Sequence, residues 1–248
     1  MEEKKIGIFD SGIGGVNVLK EIVKILPNEN YIYYSDSKNN PYGDRTNEQI
    51  IQICDDIVKY LLQNNCKAIV IACNTASAKA VEFLREKYNN IPFIAIEPAY
   101  KMVYDIAYDE PTLVMATRGT IESEKFNLLY KKYNNNKTYL LPCIGLADLI
   151  EQEKTNEINE YLEEKIGIYK NKIKNVVLGC THYPLIKSNI QKVLGDVNFF
   201  EGAARVAHHL KEILEDKKML NNGQGNIEFI DSQNLQSKKD RFFRILNN

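Results

Sequence analysis

Ala68-Ile69-Val70-Ile71-Ala72-Cys73-Asn74-Thr75 is a short apolar run that ends in a thiol, an amide and a hydroxyl. Small and β-branched residues without polar interruption are the pattern of a strand buried on both faces. The arrangement recurs 107 residues on, as Asn175-Val176-Val177-Leu178-Gly179-Cys180-Thr181-His182, with Cys180 in the place of Cys73. At the same offset Ile6-Gly7-Ile8-Phe9-Asp10-Ser11-Gly12 lies over Leu113-Val114-Met115-Ala116-Thr117-Arg118-Gly119. Identity is low, but residue type and spacing agree in two separate blocks. A repeat of this kind predicts two similar halves, each with a cysteine just past a buried strand.

Working outward, further apolar runs at Tyr31 to Tyr34, Phe93 to Ile96, Thr138 to Leu141 and Asn198 to Phe200 read as strands. Amphipathic stretches lie between most of them. In Glu48 to Leu62, Ile50, Ile51, Cys54, Ile57, Val58, Leu61 and Leu62 recur at helical spacing, and Thr46 supplies a cap. Strand and helix in alternation predict an α/β fold with parallel sheets. Pro98 disfavours continuation of the element before it, so the first half is expected to end at Glu97, with a crossing back near Glu201-Gly202. Residues 1–97 and 206–248 then form one α/β domain and 98–205 the other, the last strand (Asn226 to Ile230) and helix (Lys238 to Leu246) finishing the first.

At 248 residues the chain suits one large domain or two small ones. Its 32 Lys+Arg and 33 Asp+Glu leave a net charge of -1, so no general positive field exists to hold a nucleic acid or an anionic membrane. Met1-Glu2-Glu3-Lys4-Lys5 begins without an apolar leader, and no apolar run approaches the roughly 20 residues of a membrane span, so a cytoplasmic protein is expected. The 5 cysteines are odd in number and hold no C-x-x-C pair, which argues for free thiols over a disulfide framework or a zinc ribbon.

In open α/β sheets, ligands sit beyond the carboxyl ends of the strands. Asp10, Cys73, Thr117 and Cys180 all fall at such ends, so facing halves would place a thiol on each wall of one cleft. Cys54, Cys66 and Cys143 read as small buried hydrophobes. A cysteine of ordinary pKa, about 8.5, is mostly un-ionised at neutral pH and needs a helper to act as a base. Asp10 is placed to help Cys73, and His182 shares the turn of Cys180. His208 and His209 lie in the amphipathic Ala203 to Leu214 pattern and read as surface residues. Asp10-Ser11-Gly12-Ile13-Gly14-Gly15 is a strand-to-helix glycine turn whose N–H groups suit an anion, with Asp10 beside it for an ammonium group. Two thiols on opposite walls fit inversion of a stereocentre, one removing a proton as the other delivers one to the opposite face. The carbanion between them needs dipoles aimed at the carboxylate, from backbone N–H groups and Ser11, Asn74, Thr75 and Thr181.

Phe9-Asp10-Ser11-Gly12-Ile13-Gly14-Gly15, Pro41-Tyr42-Gly43, Ala72-Cys73-Asn74-Thr75-Ala76-Ser77, Ala116-Thr117-Arg118-Gly119-Thr120-Ile121 and Leu178-Gly179-Cys180-Thr181-His182-Tyr183-Pro184 together resemble the glutamate racemases, cofactor-independent members of the aspartate/glutamate racemase superfamily. The resemblance implies two flavodoxin-like halves related by a pseudo-twofold axis, with the active site between them. It implies Cys73 as the base toward D-glutamate and Cys180 as the base toward L-glutamate, assisted by Asp10 and His182. It further implies substrate contacts from Asp10, Ser11, Pro41, Tyr42, Gly43, Asn74, Thr75, Thr117, Thr181 and His182, with no cofactor and no metal. Its product would be D-glutamate for bacterial peptidoglycan, and a homodimer is an assembly it allows without fixing. Leu146-Ala147-Asp148-Leu149-Ile150-Glu151 departs from the family's Pro-containing run, leaving Glu151 as the supporting acid; Phe200-Glu201-Gly202-Ala203 and Asn17 depart as well. Three other readings stay open at this point: an aspartate racemase with the same thiol pair, a zinc enzyme built on Cys73, Cys180 and His182, and a binding protein that uses only the glycine turn.

Overall fold

The structure is a computed structural model that describes residues 4–248, so the leaderless reading of Met1 to Glu3 lies outside it. Its strands are β1 (Lys5–Asp10), β2 (Asn30–Ser35), β3 (Cys66–Ile71), β4 (Phe93–Ala95), β5 (Thr112–Ala116), β6 (Thr138–Pro142), β7 (Asn175–Gly179), β8 (Asn198–Phe200) and β9 (Ile227–Asp231). They form two sheets, β4-β3-β1-β2-β9 and β6-β5-β7-β8, in which every pairing is parallel. The first four strands and the next four have the same spatial order, second-first-third-fourth. The offset that joins Cys73 to Cys180 also carries β2 onto β6 and β4 close to β8.

Period-two alternation divides each sheet between two cores. Ile6, Ile8, Tyr31, Tyr33 and Val70 face one core, while Phe9, Ile32, Ile69 and Ile71 face the other. In the second sheet Leu113, Met115, Val176 and Leu178 point to one side and Val114 and Val177 to the other. Both sheets are therefore covered by helices on both faces, which is why their central strands carry so little polarity.

The Asn47–Gln63 helix starts as its sequence indicates. Thr46 accepts a hydrogen bond from the Gln49 N–H and the Gln49 side chain accepts one from the Thr46 N–H, a reciprocal cap worth about 1 kcal/mol. Cys54 lies on its buried face. After β8 the chain enters the Ala203–Asp216 helix, whose Val206, Ala207, Leu210 and Leu214 join the core of the first sheet. His208 and His209 on its other face are exposed. Strand β9 then pairs with β2, and the C-terminal helix Gln236–Asn247 packs Phe242 into the same core. Where the chain crosses between halves the two passes touch: a Cβ on Gly202 would stand 2.8 Å from the Glu97 carbonyl oxygen. Among the described residues no helix is long and apolar enough to cross a membrane.

Candidate active site

The carboxyl ends of β1, β3, β5 and β7 converge on one narrow cleft between the sheets. Ser11, Pro41, Tyr42, Gly43, Cys73, Asn74, Thr75, Thr117, Cys180, Thr181 and His182 line it, which brings most of the expected site residues together. Cys73 opens the Asn74–Lys87 helix after β3, and Cys180 directly follows β7. Each thiol thus comes from its own sheet. The free volume is about 30 Å³, room for one or two waters.

The two thiols have different flanks. On one wall the Cys180 Sγ lies 3.8 Å from Nδ1 of His182, whose Nε2 lies 2.6 Å from the Glu151 carboxylate. His182 and Glu151 are both buried. Burial opposes charge on the imidazole, but its hydrogen bonds to Cys180 and Glu151 outweigh that and raise its pKa well above the ordinary value. Burial likewise opposes charge on Glu151, and is outweighed by the hydrogen bond and charge of His182 and by the Lys238 ammonium, so the carboxyl is held well below the usual range. His182 is thus held between the Glu151 carboxylate and the Cys180 sulfur. On the other wall the Cys73 thiol lies 3.9 Å from the Ser11 hydroxyl, with no imidazole beside it. Burial, then the Asp10 charge, push its pKa up, against the opposing pull of the Ala76 N–H at the start of its helix and of Ser11. Cys73 therefore rests as a protonated thiol.

Asp10 does not line the cleft. It is fully buried behind Ser11, where it accepts hydrogen bonds from the Gly15 N–H at 2.9 Å and the Thr181 hydroxyl at 3.2 Å. Desolvation raises its pKa against the pull of His182. The glycine turn also differs from its reading as an anion cradle. Its Gly15 N–H is taken by Asp10 and its Ile13 N–H by Glu151 at 3.2 Å, so these two donors serve the protein's own carboxylates. The turn is a seat as well: Cβ atoms on Gly12 and Gly14 would stand 2.7 Å from the Glu151 carboxylate and the His182 backbone nitrogen.

Across the cleft Thr75 and Thr117 share a hydroxyl–hydroxyl hydrogen bond of 2.8 Å, and the Tyr42 hydroxyl donates to Asp36 at 2.6 Å. Asn74, at the start of the helix that Cys73 opens, lines the cleft and is buried. Among the described residues no group of three or more His, Cys, Asp and Glu is arranged to hold a metal.

Several residues in or behind the cleft wall escaped the sequence reading. Cys143 borders the cleft, its thiol pushed up to about 12 by burial, and its sequence pattern read only as packing. Asn40 donates to Asp148 at 3.4 Å, linking the two walls at the mouth. Lys238, from the C-terminal helix, pairs with Glu151 and carried no local signal.

Comparison with known proteins agrees with this geometry. Residues 6–210 match the profile of the Asp/Glu/Hydantoin racemase family. The chain is 46% identical over 242 residues to a glutamate racemase of Clostridium kluyveri, covering 95% of this chain and 94% of that protein. Among solved structures, a glutamate racemase isoform of Bacillus anthracis superposes with a TM-score of 0.86 at 31% identity, covering 100% of this chain and 96% of the other. A glutamate racemase of Francisella tularensis in complex with D-glutamate superposes at 0.84, also with 31% identity, over 100% and 95% of the two chains.

Proposed function

The chain belongs to the Asp/Glu/Hydantoin racemase family, and from that premise we propose that it interconverts L- and D-glutamate by proton transfer between two cysteines, without a cofactor. The observation that carries this reading is the placement of Cys73 and Cys180 at the ends of equivalent strands on opposite sides of one cleft. When L-glutamate is the substrate, Cys180 takes the α-proton from one face while the protonated Cys73 delivers its own to the other. The reverse direction exchanges the roles.

His182 supports the first step. Held by Glu151 and with its pKa raised, its ring lies beside the Cys180 sulfur that takes the α-proton. Asp10 acts from behind: its charge reaches Cys73, and its hydrogen bond fixes the Thr181 hydroxyl at the opposite wall. The Asn74 side chain offers an acceptor for the substrate ammonium, and Ser11, Thr75, Thr117 and Thr181 with the nearby backbone N–H groups fit its carboxylates. Pro41, Tyr42 and Gly43 close the wall behind them. The family reading carries the product to bacterial peptidoglycan and the enzyme to the cytoplasm.

Circular dichroism of each glutamate enantiomer, incubated with the protein alone, tests the scheme. Wild type should bring either enantiomer to a racemate. Cys73→Ser and Cys180→Ser should each lose at least about a hundredfold in turnover while keeping the fold. Full activity in either variant would exclude the two-base mechanism.

A further inference from the structure

Three residues of the C-terminal helix reach across from the first half of the molecule to the end of the short Leu146–Glu151 helix in the second. Arg241 donates to the Glu151 carbonyl oxygen at 2.5 Å and to the Ile150 carbonyl oxygen at 2.8 Å. Arg244 pairs with Glu153 at 2.7 Å. The third, Lys238, pairs with the Glu151 carboxylate itself, at Oε1, and its side chain is 18% exposed. The other oxygen, Oε2, receives the Ile13 N–H and faces His182 Nε2.

A carboxylate on a flexible stem has two equivalent oxygens and rotates freely unless both are held. Here Lys238 holds Oε1, and with the Ile13 N–H on Oε2 it keeps that second oxygen at the imidazole. The imidazole in turn points Nδ1 at the Cys180 sulfur. A chain of contacts thus runs from the partly buried Lys238 of the C-terminal helix to a thiol in the cleft. Arg241 holds the backbone of Glu151 and Lys238 its side chain, and these are separate tasks.

We propose that Lys238 is a positioning residue for catalysis, fixing the Glu151 carboxylate so that it holds His182 against Cys180. This rests on the racemase reading given above. Orientation of this kind is costly to lose, because a misplacement of about 1 Å in a supporting group lowers turnover by up to roughly a hundredfold. Lys238 also faces a crowded electrostatic neighbourhood. Glu151 feels His182 and Lys238 directly, Arg241 lies close to it, and Asp10 and Asp148 lie near enough to feel its charge. Removing the ammonium leaves Glu151 easier to protonate, which uncouples it from His182 at a higher pH.

The test compares Lys238→Met, Lys238→Arg and Lys20→Met with wild type by the same circular-dichroism assay, across pH, with thermal melts alongside. Lys20 donates to the Ile245 carbonyl oxygen of the same helix at 3.2 Å, so its variant loosens helix docking without touching Glu151. Lys238→Met is expected to lose about tenfold or more in kcat with KM within about twofold, and to move the acid limb of kcat/KM upward in pH. Lys238→Arg should restore most of both, and Lys20→Met should change neither. If Lys238→Met does not fold, Lys238→Gln, which keeps a donor and loses the charge, is read in its place. Unchanged kcat in the Lys238 variant overturns the inference while leaving the racemase reading intact, as does an equal loss in Lys20→Met. A wild-type chain that racemises neither enantiomer overturns both.

Discussion

The buried Glu151–His182 pair makes acid stability depend on one carboxyl. Glu151 has its pKa depressed in the folded chain, so its contribution is present above its ordinary value of about 4.5 and is lost as the pH falls through the lower folded value. Glu151→Gln should therefore melt well below wild type near neutrality, and the gap should shrink as the pH is lowered from about 5 toward 3. Thermal melts of both proteins over that range check the sign, and a gap that stays constant would show that the pair carries no linked charge. At this scale the sequence was informative where a residue had a partner at the repeat offset or in a local turn. Cys73, Cys180 and His182 met that condition, and all three line the cleft. Lys238 did not, because its contact is made 87 residues away and depends on where the last helix docks. Asp148 was quoted only as a departure from a pattern, and its link to Asn40 depends on how closely the walls approach.

Among elements, the glycine turn after β1 shows how a correct local reading leaves the function open. Its glycines, its position at a strand end and the helix that follows were all legible, since each follows from short-range backbone preferences. What the turn serves was not, because the groups that claim its N–H donors come from distant segments. Gly14 is there to let the Thr181-His182 backbone approach from the other half. An added methyl group would stand 2.7 Å from the His182 nitrogen, a contact with backbone that no rotamer change relieves. Gly14→Ala should cost about 1–3 kcal/mol in urea denaturation and lower kcat by displacing His182. A variant as stable and as active as wild type would show that the two turns have room to separate.

For the whole molecule, the repeat decided more than any single motif. Four strands recur in the same order at one offset, and the ligand position follows from the topology of each half. The depth of the cleft did not follow, since it depends on the angle between the halves. The cleft is lined from both sheets, so an amino acid bound in it bridges the two walls. Glutamate at a hundred times its Kd should accordingly stabilise the fold by about 2.7 kcal/mol, read as a rise in Tm that L-lysine does not produce. No rise with either enantiomer would remove glutamate as the ligand. The unequal flanks of the two thiols have one last effect. Mirror-image molecules have equal free energies in water, so the equilibrium mixture is even, whatever surrounds each sulfur. An imidazole and carboxylate behind Cys180, against a hydroxyl and a helix end beside Cys73, cannot tilt that mixture. Whatever speed the lopsided site gives one direction at saturation, it must surrender in the concentration of substrate needed to reach it.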